Sequence, residues 1–150
     1  MIASLNHAEI AKRIPHSGTM CLLESMQRMS ETDIVCSAVS HRNTDNPLRS
    51  HGRLGAAVAV EYAAQAMALH GSILNADLDV PAKGGRLINV RQLTLYCTRF
   101  DDLASPLTVR ATRLMGDVSN VIYSFEVGAY GQMIASGRAG VMLVPSESAK

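Results

Sequence analysis

One stretch decides the fold, Gly55-Ala-Ala-Val-Ala-Val-Glu61-Tyr-Ala-Ala-Gln65-Ala-Met-Ala-Leu-His70-Gly71. Alanine, leucine and methionine favour a helix, and the final glycine supplies a natural stop. The stretch contains no lysine, arginine or aspartate, so it lacks the polar face of a surface helix. A helix that is apolar on nearly all sides is a buried one. We therefore predict a long buried helix over 55–71.

Two polar side chains interrupt this helix, Glu61 and Gln65, and residues four apart lie on the same helix face. A buried carboxylate must be paired or neutral, because burying a bare charge costs several kcal/mol. A proton-bearing Glu61 could serve as a general acid, or it could be a purely structural glutamate bonded to backbone or to a histidine. Gln65 would orient Glu61 or a ligand, or make a hydrogen bond at an interface.

Composition predicts a single domain over 1–150. The chain has 150 residues, 47% apolar and 18% charged, which suits a chain that buries a core rather than a disordered one. A formal net charge of +1 and the absence of tryptophan argue against a nucleic-acid partner. The N-terminus lacks an apolar signal core, and the helix over 55–71 is short for a membrane span. We expect a cytoplasmic protein without a membrane partner.

The three cysteines, Cys21, Cys36 and Cys97, are widely spaced and lie in apolar runs. This arrangement predicts buried reduced thiols rather than disulfides or zinc ligands. No group of histidines and acids has metal-ligand spacing, and neither a phosphate loop nor a nucleophile elbow is present. We expect no metal and no cofactor.

The N-terminal half predicts a short helix followed by a hairpin. Residues 6–13 form the helix, with Asn6 as cap and Glu9 three residues later. Residues 20–29 and 34–40 are the two strands of the hairpin. The polar residues 41–52 form a long loop of a length that is often functional.

The C-terminal half predicts an antiparallel meander. A loop over 75–85 precedes four strands joined mostly by short turns, and 145–150 forms a frayed tail. A sheet wrapped around the central helix accounts for this order and gives an α+β architecture, the hot-dog fold. Such a sheet has unpaired edge strands, so we expect it to pair with a second protomer. The predicted strands are 86–100, 107–115, 118–130 and 133–144.

Two histidines precede the central helix in loops, and a buried acid needs a complementary base. His16 follows Ile14-Pro15, and His51 lies four residues before Gly55. His7, His41 and His70 have weaker claims. Gly55 and Ala56 begin the helix, where free backbone amides could hold a carbonyl oxygen that gains negative charge.

These motifs resemble those of the 3-hydroxyacyl-acyl-carrier-protein dehydratases. Ile14-Pro15-His16 with Met20-Cys-Leu-Leu-Glu24 resembles their Pro-His opening, and Val60-Glu61-Tyr-Ala-Ala-Gln65-Ala66 resembles their central helix. Over residues 10–145 the chain is most similar to the dehydratase-like subfamily of aryl-polyene pigment clusters.

The resemblance implies dehydration of a 3-hydroxyacyl chain held as a thioester on an acyl carrier protein. A histidine takes the proton from C2, the helix carboxylate protonates the departing C3 hydroxyl, and the helix start polarises the thioester carbonyl. The acyl chain lies in a tunnel at a dimer interface. The partner is a second copy or a paralogous hot-dog dehydratase.

The chain departs from the main dehydratase family just before the helix. That family has Gly-His-Phe-Pro and then Pro-Gly, where this chain has Ser50-His51-Gly52 and Leu54-Gly55-Ala56. Matching His51 to the family's histidine requires a deletion, because Pro47 occupies the ungapped position and cannot act as a base. The candidate base is therefore His51 or His16.

Two other functions fit the same residues. One is a hot-dog thioesterase, in which a carboxylate activates water on the thioester carbonyl and releases a free acid. The other is a catalytically weak subunit that stabilises an active paralogous dehydratase, as the missing Gly-His-Phe-Pro motif indicates.

Overall fold

One long helix packs against a seven-stranded antiparallel sheet in a computed structural model that describes residues 4–14, 18–75, 82–117 and 119–145. In these residues the α-helices are α1 (His7–Ala11) and α2 (Ala59–Leu74). The strands are β1 (Leu5–Asn6), β2 (Ser25–Met29), β3 (Asp33–Ala38), β4 (Ala82–Leu95), β5 (Leu107–Gly116), β6 (Asn120–Ala129) and β7 (Gln132–Pro145). Their order in the sheet is β1-β2-β3-β5-β6-β7-β4.

The first helix has the predicted cap. Asn6 Oδ1 accepts the Glu9 N–H at 2.9 Å, and Glu9 Oε1 accepts the Asn6 N–H at 2.9 Å, which together form a capping box. The helix ends at Ala11, two residues before the predicted end. The sequence prediction missed β1, a two-residue strand that pairs with β2.

The predicted hairpin and meander are confirmed as antiparallel strands, but some predicted bounds are wrong. The first hairpin strand begins at Ser25 rather than at residue 20, since Gly18–Met20 forms a 3₁₀ turn, and β4 ends at Leu95 rather than at residue 100. Along β6 the buried and exposed residues alternate, because successive side chains of a strand point to opposite faces. The buried residues of this strand are Val121, Tyr123, Phe125, Val127 and Ala129. Strand β4 begins four residues earlier than predicted, at Ala82. The tail predicted over 145–150 lies outside the described residues except for its first position, Pro145, which ends β7.

The central helix is confirmed, with shifted ends. It begins as a 3₁₀ turn over Ala56–Val58 and continues as α2. The predicted stop at Gly71 is wrong, since α2 runs on to Leu74. A glycine inside a helix is unfavourable by only about 1 kcal/mol. Burial of Ile73, which is 7% exposed, offsets that amount because a buried isoleucine stabilises by about 1.5–3 kcal/mol.

The expectation that α2 has no open face is wrong for the single chain. Positions 57, 61, 64 and 68 recur at helical spacing, and they are exposed or half-buried. The sheet therefore covers α2 from one side and leaves a stripe of three alanines and Glu61 uncovered. The buried positions are Ala59, Tyr62, Ala63, Gln65, Ala66, Met67, Leu69, His70 and Ile73.

The two edges of the sheet differ greatly in length. β1 has two residues, whereas β4 has fourteen, and within the described residues β4 pairs with β7 alone. Long unpaired edges with apolar side chains are the usual site of pairing with another chain. Exposed apolar side chains on and just after β4 are Leu87, Ile88, Leu93, Leu95 and Tyr96.

Candidate active site

Glu61 lies in the first turn of α2, and its side chain is exposed. The expectation that this carboxylate is buried is therefore wrong for the single chain. Ala57 lies one turn before it and Ala64 nearly one turn after it, and these small side chains leave the carboxylate uncovered. The only carboxylate of α2 thus occupies the face that the sheet leaves open.

The start of the helix offers two free backbone amides. The Ala56 N–H donates to the Thr98 carbonyl at 3.0 Å, so the predicted use of that amide for a ligand is not open in this geometry. In the described part of the chain the N–H groups of Gly55 and Ala57 have no backbone or side-chain acceptor. Ala57 shares a helix face with Glu61, about 6 Å away along the axis. An unbonded amide at the helix start therefore lies one turn before the exposed carboxylate.

His51 lies at the tip of a tight turn just before the helix. Ser50 and Arg53 are bonded in both directions, at 2.8 and 3.0 Å, which leaves His51 and Gly52 as the two central residues. Both have positive φ, 54° and 75°, as a type I′ turn requires. The His51 ring is exposed, and its Nδ1 lies 3.1 Å from Ser50 Oγ. This histidine is accessible but is not bonded to Glu61.

Gln65 fixes the segment that follows His16. Its Nε2 donates to the Met20 carbonyl at 2.6 Å, and its Oε1 accepts the Leu22 N–H at 2.8 Å. The side chain is buried and both ends of its amide are used on backbone. His16 itself lies outside the described residues.

A buried network fixes the loop over 41–52 against the helix. The Tyr62 hydroxyl lies 2.8 Å from Ser40 Oγ and accepts from Asn46 Nδ2 at 3.3 Å. Ser40 Oγ in turn donates to the Leu22 carbonyl at 2.7 Å. Sequence reasoning missed this network. Its only signal was a polar Asn46-Pro47 in a loop beside an apolar helix.

A cavity of about 300 Å³ opens beside the second half of α2. Ala68 and Gly71 line it, and Ala68 lies about 10 Å along the helix axis from Glu61 on the same face. The wall is mostly apolar, and Arg113, Asp117 and Tyr123 add polar groups. A larger depression of about 370 Å³ lies between strands and includes no residue of α2.

Two histidines have structural roles. His70 is fully buried, and its Nε2 donates to the Ser30 carbonyl at 2.8 Å, so its Nδ1 accepts from the Tyr123 hydroxyl at 2.7 Å. His41 is also fully buried, with Nε2 3.0 Å from the carbonyls of Leu103 and Ser105. Burial lowers the pKa of each ring.

The thiols match the prediction. Cys21 and Cys36 are buried and Cys97 is half-buried, and all three are free. Burial raises the pKa of Cys36 to about 12. Within residues 4–14, 18–75, 82–117 and 119–145, no group of three histidines, cysteines or acids could hold a metal ion. The helices in those same ranges are too short or too polar to cross a membrane.

The profile of the ApeP-like family, described as ApeP dehydratase, matches residues 8–150. The chain belongs to the ApeP-like dehydratase family. This membership confirms the resemblance seen in the motifs, and it supports a dehydratase-type enzyme. A comparison with curated proteins gave no significant match.

Solved structures confirm the hot-dog fold for this ApeP-like chain. The dehydratase heterocomplex ApeI:P from Xenorhabdus doucetiae contains a chain with a TM-score of 0.81 at 22% identity, over 93% of this chain and 92% of that one. A thioesterase from Haemophilus influenzae gives a TM-score of 0.64 at 13% identity, over 93% and 91%. A mutant thioesterase from Pseudomonas aeruginosa gives 0.60 at 13% identity, over 83% and 82%.

Proposed function

We propose that this chain dehydrates a 3-hydroxyacyl thioester carried by an acyl carrier protein, with Glu61 as the general acid. The observation that carries the proposal is the position of Glu61. It is the acid on the one open face of α2, one turn from the unbonded amide of Ala57. Family membership supports dehydration as the reaction class, and the open face supports Glu61 as its acid.

The reaction needs three groups around one substrate. A base removes a proton from C2, a donor polarises the thioester carbonyl as negative charge grows on its oxygen, and an acid protonates the C3 hydroxyl. The C3–O bond breaks, water leaves, and a trans-2-enoyl thioester remains. Glu61 supplies the proton, and the amides of Gly55 and Ala57 supply the donors.

The base is His16 or His51. His51 is exposed on a turn that leads into the helix. His16 precedes in sequence the segment that Gln65 fixes to α2 through Met20 and Leu22. Either imidazole, when neutral, could take the C2 proton.

The remaining candidates divide into two roles. Gly55 stays a substrate-binding candidate because its amide is unbonded, and Ala57 replaces Ala56 because the Ala56 amide is already used by Thr98. Gln65 acts on the protein backbone rather than on the substrate. The cavity beside Ala68 and Gly71 would receive the distal part of the acyl chain.

A second hot-dog chain would complete the site. Glu61 and the free amides lie on a surface with no cover in the single chain, and water competes for a proton donor that is exposed. The long edge of β4, with its exposed apolar side chains, supports pairing with another chain. The matched complex from X. doucetiae is described as a dehydratase heterocomplex, which favours a paralogous dehydratase over a second copy.

A turnover assay tests the proposal. The chain would be incubated alone and with its paralogous partner on a 3-hydroxyacyl-carrier-protein thioester, and products would be measured by mass spectrometry. We expect loss of one water from the acyl group, and Glu61→Gln should abolish the contribution of this chain. The matched control is a complex whose partner chain has its own acidic residue substituted. Any turnover that remains in this complex comes from the site of this chain.

Other products would replace the proposal. Release of a free 3-hydroxy acid would identify a thioesterase. Unchanged turnover of the complex with Glu61→Gln, together with loss of partner stability when this chain is omitted, would identify a supporting subunit.

A further inference from the structure

The start of the central helix is bonded to the segment that joins β4 to β5. The Ala56 N–H donates to the Thr98 carbonyl at 3.0 Å, and the Phe100 N–H donates to the Leu54 carbonyl at 2.8 Å. Gly55 and Arg99 form the antiparallel bridge between them. Residues 98–101 therefore set the position of the backbone that carries the free amides of the proposed site.

Asp101 adds a side-chain clamp at this point. Its Oδ1 accepts the Leu54 N–H at 2.8 Å and the Arg99 Nε–H at 3.0 Å, and its Oδ2 pairs with Arg99 Nη2. The Asp101 side chain is 7% exposed and that of Arg99 is 32% exposed. The Arg99 guanidinium holds the pKa of Asp101 well below its usual range, so the carboxylate is charged at neutral pH.

The negative charge of Asp101 lies where it would oppose the proposed reaction. Asp101 contacts Leu54, the residue just before Gly55, and dehydration builds negative charge on an oxygen near the same amides. A bare carboxylate there would repel that oxygen. Arg99 binds the carboxylate through two nitrogens and so cancels its charge, while the other nearby acid, Asp102, is 59% exposed and screened by water.

We propose that Asp101 and Arg99 are a pair of positioning residues for the site. Asp101 fixes the backbone at Leu54 that leads into the amides of Gly55 and Ala57. Arg99 neutralises Asp101 so that its charge does not oppose the reacting thioester. This inference rests on the proposed dehydratase function.

The test compares single and double substitutions in the complex that turns over. We expect Arg99→Gln to lower kcat about tenfold with KM changed less than twofold, because an uncompensated carboxylate acts on the growing charge. Adding Asp101→Asn removes that charge and keeps an acceptor for the Leu54 N–H. The double variant should return to within threefold of wild type. A double variant as impaired as Arg99→Gln would overturn the inference.

Arg110→Gln is the matched control. Arg110 Nη2 on β5 lies 3.0 Å from Asp33 Oδ2 on β3. This ion pair is distant in sequence from the helix start and, among the described residues, shares no hydrogen-bond partner with it. The substitution should leave kcat unchanged, and an equal loss in this variant would also overturn the inference.

A second measurement separates this inference from the proposed function. Amide NMR of the labelled chain should show the Gly55 and Ala57 signals shifted in Arg99→Gln and unshifted in Arg110→Gln. If wild type gives no enoyl product, the proposed dehydratase function fails. The NMR signals of Gly55 and Ala57 would still show whether Arg99 and Asp101 position the amides. Unshifted signals in Arg99→Gln would overturn the pair's role.

Discussion

Gln65 Oε1 accepts the backbone N–H of Leu22 at 2.8 Å, and the same side chain donates to the carbonyl two residues earlier. The central helix thereby fixes, from the inside, a segment 43 residues away in sequence. The bond also explains why an amide interrupts the apolar helix. Without Gln65, the Leu22 N–H would lack an acceptor and the Met20 carbonyl would lack a donor beside a buried helix face.

We predict that Gln65→Met lowers the free energy of unfolding by about 1–3 kcal/mol, because a similar volume without polar atoms leaves the Leu22 N–H unsatisfied. Denaturant unfolding measures the change. Glu61→Gln, on the exposed face of the same helix, is the control and should change it by less than about 0.5 kcal/mol. A Gln65→Met chain as stable as wild type would contradict the structural role.

Glu61→Gln should separate stability from activity. The exposed side chain makes no bond in the described residues that the amide would lose, so folding should be unaffected. Loss of the acid should lower the turnover of this chain's site by about 100-fold or more. Mass spectrometry of the acyl-carrier product gives the rate, and full activity in this variant would rule out Glu61 as the acid.

One histidine of the pair His16 and His51 should carry the base. We expect one of the variants His16→Ala and His51→Gly to lower kcat about 100-fold or more and to remove the acidic limb of the pH profile of kcat/KM. The other should change kcat less than fivefold. Glycine is the suitable substitution at His51 because φ is 54° there. Full activity in both variants would contradict a base at either position.

Stability should fall as the pH is lowered through about 6.5. Burial lowers the pKa of His41 and His70 below 6.5 in the folded chain, so in this range the unfolded chain binds more protons. Their contribution is therefore complete above pH 6.5 and is lost progressively below it. Urea unfolding between pH 5 and 8 measures the slope. His70→Gln should reduce that slope, and a stability that rises toward pH 5 would contradict the prediction.

The β4 edge should control assembly. We expect Ile88→Lys with Leu95→Lys to weaken association with the partner chain at least tenfold, because charges on an exposed edge prevent strand pairing. Light scattering coupled to size exclusion measures the complex. Met115→Lys is the control, since Met115 is 64% exposed on β5, an interior strand of the sheet. Equal loss in the control would show that the effect is not specific to the β4 edge.

Much of the architecture follows from local sequence. The capping box at Asn6 and Glu9 is a four-residue pattern, and the alternation in β6 is a two-residue period, so neither needs knowledge of distant residues. The apolar stretch over 55–71 likewise identifies the central helix. The end of that helix was missed because Gly71 is tolerated when residues beyond it are buried against the sheet.

The geometry of the candidate site could be predicted only in part. Sequence spacing placed Glu61 on the helix, but it could not tell which helix face the sheet would leave uncovered. The loss of Ala56 as a free donor depends on Thr98, 42 residues away, and the charge at the helix start depends on Asp101. Such contacts arise only when loops from distant parts of the chain meet.

The sequence by itself determined the apolar helix, the meander and the position of the Glu61 carboxylate on the helix, because propensity, periodicity and motif are properties of neighbouring residues. Tertiary structure alone decided that Glu61 is exposed and that both ends of the Gln65 amide bind backbone. It also decided which amides at the helix start remain free. The physical reason is that burial and hydrogen-bond pairing are set by which surfaces pack together, and packing joins residues far apart in the chain.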